Sequence, residues 1–89
     1  MSVDMLKHRA YMALMSDPHM LDAVGLLCPL PVLKARKRLQ LLSQGDEIAV
    51  LADDPAAIVD IPHFCTAAGH TLVSSDLDGP VQTYVIRKG

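Results

Sequence analysis

Short apolar runs and segments with apolar residues at helical spacing follow one another along the chain after residue 19, and together they predict the secondary structure. Short apolar runs bounded by Gly, Pro or Asp predict four strands, at residues 20–24, 47–52, 70–77 and 81–87. Two segments between them repeat apolar residues at three- and four-residue spacing, which predicts helices over residues 30–43 and 55–68. The predicted element order is β-α-β-α-β-β.

The two predicted helices each have one apolar face and recognisable end signals. In the first helix the buried face should contain Val32, Ala35, Leu39 and Leu42. In the second it should contain Ile58, Ile61, Cys65 and Ala68. Asp53-Asp54-Pro55 should start the second helix, Pro62 should kink it, and glycines at 45 and 69 should follow the two helix ends.

Two helices are enough to cover one face of a four-stranded sheet and too few to cover both. We therefore expect an α+β fold, a two-layer α/β sandwich with both helices on one face of a mixed sheet. Residues 19–89 should form this domain. Residues 1–18 should form a separate N-terminal arm, with a short helical pattern that ends at Ser16-Asp17-Pro18. The pattern fits a docking helix and an unstructured tail equally well.

The composition limits the classes of function. The 89 residues, 51% of them hydrophobic, are enough for one core, and the net charge of -2 indicates no general attraction to nucleic acid or to anionic membrane. Charged residues near the N-terminus interrupt any signal peptide, and Asp, Gly and Pro interrupt the most apolar stretch, residues 20–33. We expect a cytoplasmic protein with no membrane span and no direct nucleic-acid partner.

The two cysteines, Cys28 and Cys65, lie far apart in the chain and lack the spacing of a zinc site or a disulfide framework. We therefore expect no metal and no cofactor. Cys65 falls on the predicted buried face of the second helix, which favours a structural role. A redox pair would become possible only if the two Cα atoms came within about 7 Å of each other.

Cys28 is the main candidate for chemistry because it lies at the predicted start of the first helix. The unpaired N–H groups and the dipole of a helix N-terminus favour an anion, so they should lower the pKa of this thiol. Pro29 and Pro31 should fix the entry to the helix. If Pro29 is the first helical residue, the sulfur could accept a hydrogen bond from Leu30 N–H, whereas the helix could also start at Pro31. From spacing alone, Cys28 could equally be a small buried apolar residue.

Other polar residues have weaker signals. Lys34, Lys37 and Arg38 share one side of the first helix, where they form either a solvated face or a docking patch for an acidic partner protein or an RNA-bound enzyme. His63 and His70 are expected at the surface or at helix ends. Asp22 and Asp60 are expected to act as local hydrogen-bond acceptors or caps.

Residues 22–31, Asp-Ala-Val-Gly-Leu-Leu-Cys-Pro-Leu-Pro, resemble the signature of the TusA/SirA-like family of small sulfur carrier proteins, whose hallmark is Cys-Pro-x-Pro. Asp53-Asp54-Pro55, residues 60–65 and Gly69-His70 resemble the same family's second-helix pattern, so the resemblance covers residues 20–88. It implies the same sandwich fold. It also implies that Cys28, supported by Gly25, Pro29 and Pro31, takes up sulfur as a persulfide.

The resemblance also implies partners. The sulfur donor would be a cysteine desulfurase or a rhodanese-like protein. The acceptor would be a sulfurtransferase of the DsrE-like or tRNA-thiolation type. Other members of the family deliver sulfur to molybdenum cofactor and sulfur-oxidation pathways. The chain would relay sulfur with partner enzymes rather than turn over a substrate alone. Two alternatives stay open: a regulatory or protein-interaction module with a structural Cys28, and a thiol-disulfide enzyme that uses Cys28 and Cys65.

Overall fold

The computed structural model describes residues 19–89, and the predicted N-terminal arm at residues 1–18 lies outside them. These residues form two helices and one four-stranded sheet in the predicted β-α-β-α-β-β order. The strands are β1 (Met20–Asp22), β2 (Glu47–Ala52), β3 (Thr71–Asp76) and β4 (Gln82–Arg87), and the sheet order is β1-β2-β4-β3. β1 and β2 are parallel and the other pairs are antiparallel, so the sheet is mixed, as expected.

The two central strands bury alternate residues toward the helices, as a sheet covered on one face requires. The buried cross-strand pairs are Ile48 with Ile86, Val50 with Tyr84, and Ala52 with Gln82. The helices contribute Ala35, Leu39, Ile61, Phe64 and Cys65 to the same core. The predicted α+β two-layer sandwich, with both helices on one face of the sheet, is confirmed.

Helix α1 (Leu30–Gln40) begins where predicted but ends three residues early. Residues 43–46 form their own turn, in which the Asp46 side chain accepts a hydrogen bond from Ser43 N–H at 3.0 Å. This local bond competes with continuation of the helix. The expected buried face is confirmed for Ala35, Leu39 and Leu42, whereas Val32 is only partly buried.

Helix α2 (Ala57–Ala68) begins two residues later than predicted because residues 54–57 form a tighter turn, with Ala57 N–H bonded to Asp54 C=O at 3.0 Å. The helix continues through Pro62 and ends at Gly69, whose φ of 78° is the left-handed conformation that favours glycine. The predicted buried face was wrong for Ile58 and Ala68, which are exposed. Ala57 and Phe64 take their places in the core.

None of the helices in residues 19–89 is long and apolar enough to span a membrane.

Candidate functional site

Cys28 lies in the segment between β1 and α1, which runs past the C-terminal end of β2. Gly25 has a φ of 84°, and its N–H donates to the Asp53 carboxylate at 2.9 Å. Leu30 N–H donates to Leu27 C=O at 2.9 Å. The helix begins at Leu30, between the two starts considered, and because this donor is already used, the bond to the Cys28 sulfur that a start at Pro29 would allow does not form. Cys28 instead lies one residue before Pro29, the residue that caps α1.

Asp54 fixes the backbone of Cys28. Its Oδ2 accepts the hydrogen bond of Cys28 N–H at 2.6 Å, and its Oδ1 accepts that of Ala56 N–H at 3.2 Å. Asp54 is only 9% exposed, and its C=O accepts a bond from the buried side chain of Gln82 at 3.0 Å. Charged side chains are rarely this buried without partners. Asp54 therefore ties the thiol-bearing segment to the turn before α2 and, through Gln82, to the sheet.

The side chain of Cys28 is exposed, and its thiol donates a hydrogen bond to Asp60 Oδ2, with an Sγ to Oδ2 distance of 3.0 Å. Asp60 lies in the first turn of α2, where a carboxylate also interacts favourably with the helix dipole. The thiol at the start of α1 and the carboxylate at the start of α2 thus form one pair. The two residues are 32 positions apart in the chain.

The expected lowering of the Cys28 pKa was wrong, because the structure raises it. The largest cause is the hydrogen bond to Asp60, which favours the protonated thiol, and partial desolvation and the negative charges of Asp60 and Asp54 act in the same direction. A helix N-terminus alone would favour the thiolate. Here the carboxylates of Asp54 and Asp60 lie at the N-terminal end of α1, so Cys28 without bound sulfur is a protonated thiol at neutral pH.

Cys28 opens into a pocket of about 380 Å³ between the two helices. Its walls are mostly apolar and also carry two polar groups; they comprise Pro29, Val32, Asp60, His63, Phe64 and Ala67. A second hollow of about 300 Å³ is lined by Arg36, Phe64, Ala67 and Ala68. Phe64 and Ala67 also line the Cys28 pocket, so the pocket and the hollow are adjacent and form one groove. His63, expected as a surface or helix-end residue, is exposed and forms part of the wall beside the thiol.

The basic residues of α1 divide between the two sides of the helix. Lys34, Lys37 and Arg38 line one groove of about 250 Å³ with Leu21 and Leu41, and Arg38 Nη1 donates to Met20 C=O at 2.6 Å. This groove shares no lining residue with the Cys28 pocket. The three cations predicted as a docking patch are therefore together, but on the other flank of α1 from the Cys28 pocket.

Neither Cys65 nor His70 lines the Cys28 pocket. Cys65 is 2% exposed within the core, where burial raises its pKa, and neither cysteine forms a disulfide. His70 Nδ1 accepts a hydrogen bond from Gly89 N–H at 3.0 Å, and its ring contacts that of Phe64. Burial and the nearby positive charge of Lys88 lower the pKa of His70. Both side chains take part in packing beneath or beside α2.

Two polar contacts of Cys28 were missed when the sequence was considered alone. Asp54 was part of an expected helix start and Asp60 an expected local cap, and neither was connected with Cys28. The available signal was their place in the stretches that resemble the family's second-helix pattern. Among residues 19–89, no three His, Cys, Asp or Glu side chains lie close enough together to hold a metal ion.

The fold and this site define a small α+β domain that presents an exposed thiol before its first helix. Residues 19–88 match the family model described as Sulfurtransferase TusA, and the chain belongs to that family. It is also similar to the crystal structure of a SirA-like protein from Desulfitobacterium hafniense. The two share 28% sequence identity with a TM-score of 0.69, over 79% of this chain and 96% of the other. Membership of the family supports a sulfur-carrier role in general, in a relay with partner proteins.

Proposed function

We propose that this protein carries sulfane sulfur as a persulfide on Cys28, which it receives from a donor protein and gives to an acceptor. The observation that carries the proposal is the exposed Cys28 thiol at the mouth of an apolar pocket, held through its own N–H by the buried Asp54. A structural cysteine would be buried among apolar side chains, as Cys65 is. The exposure of Cys28 therefore supports a sulfur carrier over an interaction module in which Cys28 is structural.

The loading step is an exchange between two sulfur atoms. The Cys28 sulfur attacks the terminal sulfur of the donor persulfide, a new S–S bond forms on Cys28, and the donor S–S bond breaks. The electron pair leaves on the donor sulfur, which takes up the proton that Cys28 releases. No external oxidant or reductant is needed. Because the thiolate is the attacking form, the raised pKa of Cys28 keeps the resting protein slow to react with stray oxidants and alkylating agents.

The surface around the thiol supports contact with protein partners. Leu27 and Leu30 flank Cys28 in the chain and are 69% and 44% exposed. Apolar side chains exposed beside a reactive group favour a protein interface over a solvated surface. The donor in this proposal is a cysteine desulfurase or rhodanese-like protein, and the acceptor is a sulfurtransferase of the DsrE-like or tRNA-thiolation type in the cytoplasm.

Incubation with a cysteine desulfurase and cysteine, followed by intact-mass spectrometry, tests the proposal. Wild type should gain the mass of one sulfur atom, and Cys28→Ser should gain none, because a serine hydroxyl cannot form the S–S bond. Cys65→Ala is the matched control and should load like wild type, since Cys65 is buried. Sulfur gained equally by Cys28→Ser and wild type would overturn the proposal, as would no adduct on wild type.

A further inference from the structure

The hydrogen bond between Cys28 and Asp60 bears on how strongly the site holds sulfur. The Asp60 carboxylate accepts the proton of the empty thiol at an Sγ to Oδ2 distance of 3.0 Å. A hydrogen bond to a carboxylate is roughly twice as strong as one between neutral groups. The bond exists only while Cys28 is a protonated thiol, so it stabilises the empty state alone.

The loaded state loses this interaction and gains a repulsive one. A persulfide is more acidic than its parent thiol, so at neutral pH the terminal sulfur carries a negative charge and has no proton to donate. An S–S bond is about 2 Å long, so a terminal sulfur placed along the present hydrogen bond would lie only about 1 Å from Oδ2. With Asp60 in this position, the terminal sulfur must leave the line of that hydrogen bond and lie elsewhere in the pocket or toward solvent.

The other charged groups that face Cys28 do not reverse this balance. Asp54 adds a second negative charge at the Cys28 backbone. His63 is exposed on the pocket wall, and Arg36 lines only the more distant hollow of the groove. In the part of the chain that the structure describes, no positively charged Lys or Arg side chain lines the pocket that contains the thiol.

We propose that Asp60 sets the sulfur affinity of Cys28, stabilising the empty thiol and destabilising the anionic persulfide so that the loaded protein is biased toward release. The inference rests on the proposed sulfur-carrier function and names the residue that controls it. Such a bias favours transfer to the acceptor. The acceptor can then take the sulfur with a lower sulfur affinity than it would need if the carrier favoured neither the loaded nor the empty state. The transfer conserves atoms, charge and protons: the loaded protein and an acceptor thiol become the empty thiol and an acceptor persulfide.

The equilibrium between the protein and glutathione persulfide measures this affinity. Wild type and Asp60→Asn are incubated at neutral pH with the same mixture of glutathione and glutathione persulfide, and the loaded fraction is read by intact-mass spectrometry. The ratio of loaded to empty protein should rise severalfold in Asp60→Asn, because an amide accepts a weaker bond from the thiol and does not repel the persulfide. Asp46→Asn, which makes the same charge change at the opposite end of the sheet, should match wild type.

Alkylation of the empty protein by iodoacetamide gives an independent measurement. The rate at Cys28, followed by peptide mass spectrometry across a pH series, should be severalfold higher at neutral pH in Asp60→Asn, with its midpoint shifted to lower pH. The cause is the loss of the group that raises the pKa of Cys28. Asp60→Ser, which removes the same charge, is the second variant if the asparagine variant fails to fold.

The outcomes separate this inference from the function on which it rests. Absence of any loaded wild type would contradict the carrier function itself. Normal loading of wild type, with the same loaded ratio in Asp60→Asn or Asp60→Ser as in Asp46→Asn, would overturn the role of Asp60 while leaving the carrier function intact.

Discussion

Truncation of Ile61 to alanine is expected to lower the free energy of unfolding by about 2–5 kcal/mol. Ile61 is fully buried where α2 meets the sheet, so its loss leaves a cavity in a core with few aromatic side chains to fill it. Domains of this size have a total stability of about 5–15 kcal/mol, so the loss is a large fraction of it. Urea unfolding followed by circular dichroism measures the change.

Val59→Ala is the matched control for this prediction. Val59 lies on the same helix two residues away but is 69% exposed. Its truncation should change the free energy of unfolding by no more than about 0.5 kcal/mol. Equal destabilisation by the two substitutions would contradict the assignment of Ile61 to the core.

Replacement of Asp54 by alanine is expected to lower the free energy of unfolding by about 1–3 kcal/mol and to free the backbone of Cys28. The substitution leaves Cys28 N–H and Ala56 N–H without their acceptor, in a part of the structure where water replaces it poorly. Chemical denaturation gives the stability change. Amide hydrogen exchange gives the local effect, and protection of the Cys28 N–H should be lost well before that of the central strands.

Asp53→Ala separates the role of Asp54 from that of its neighbour. The Asp53 side chain is exposed, and within residues 19–89 it accepts a single hydrogen bond, from Gly25 N–H, so its loss should cost less stability and leave the Cys28 N–H protected. If Asp53→Ala destabilised the protein as much as Asp54→Ala and exposed the Cys28 amide equally, the anchoring role of Asp54 would be wrong.

Most of the fold could be predicted because it depends on patterns local in the chain. The short apolar run between Asp46 and Asp53 predicted β2 to the residue, and Gly69 correctly predicted the end of α2. The errors in the helix ends fell where a side chain accepts a hydrogen bond from nearby backbone in place of the helix. Asp46 does so after α1, and Asp54 does so before α2, and these bonds set the helix ends.

Less of the site could be predicted, because its chemistry depends on residues far apart in the chain. The position of Cys28 before α1 follows from the two prolines and the helix pattern. The charge state of its thiol depends on Asp54, in the turn before α2, and on Asp60, in the first turn of α2, and only the folded chain brings both near Cys28. A helix N-terminus considered alone predicts a lowered pKa for this thiol, and the two carboxylates reverse that expectation. Opposing effects of this kind become visible only in three dimensions.

The central claim is that Cys28 both accepts sulfane sulfur and gives it up, and release to cyanide tests both halves. The protein is loaded with glutathione persulfide, separated from the reagent and treated with cyanide, which attacks the terminal sulfur and leaves as thiocyanate while Cys28 keeps the electron pair. Wild type and Cys65→Ala should each release one thiocyanate for every loaded chain, and Cys28→Ser should release none. Thiocyanate formed by Cys28→Ser at the level of wild type would contradict the account.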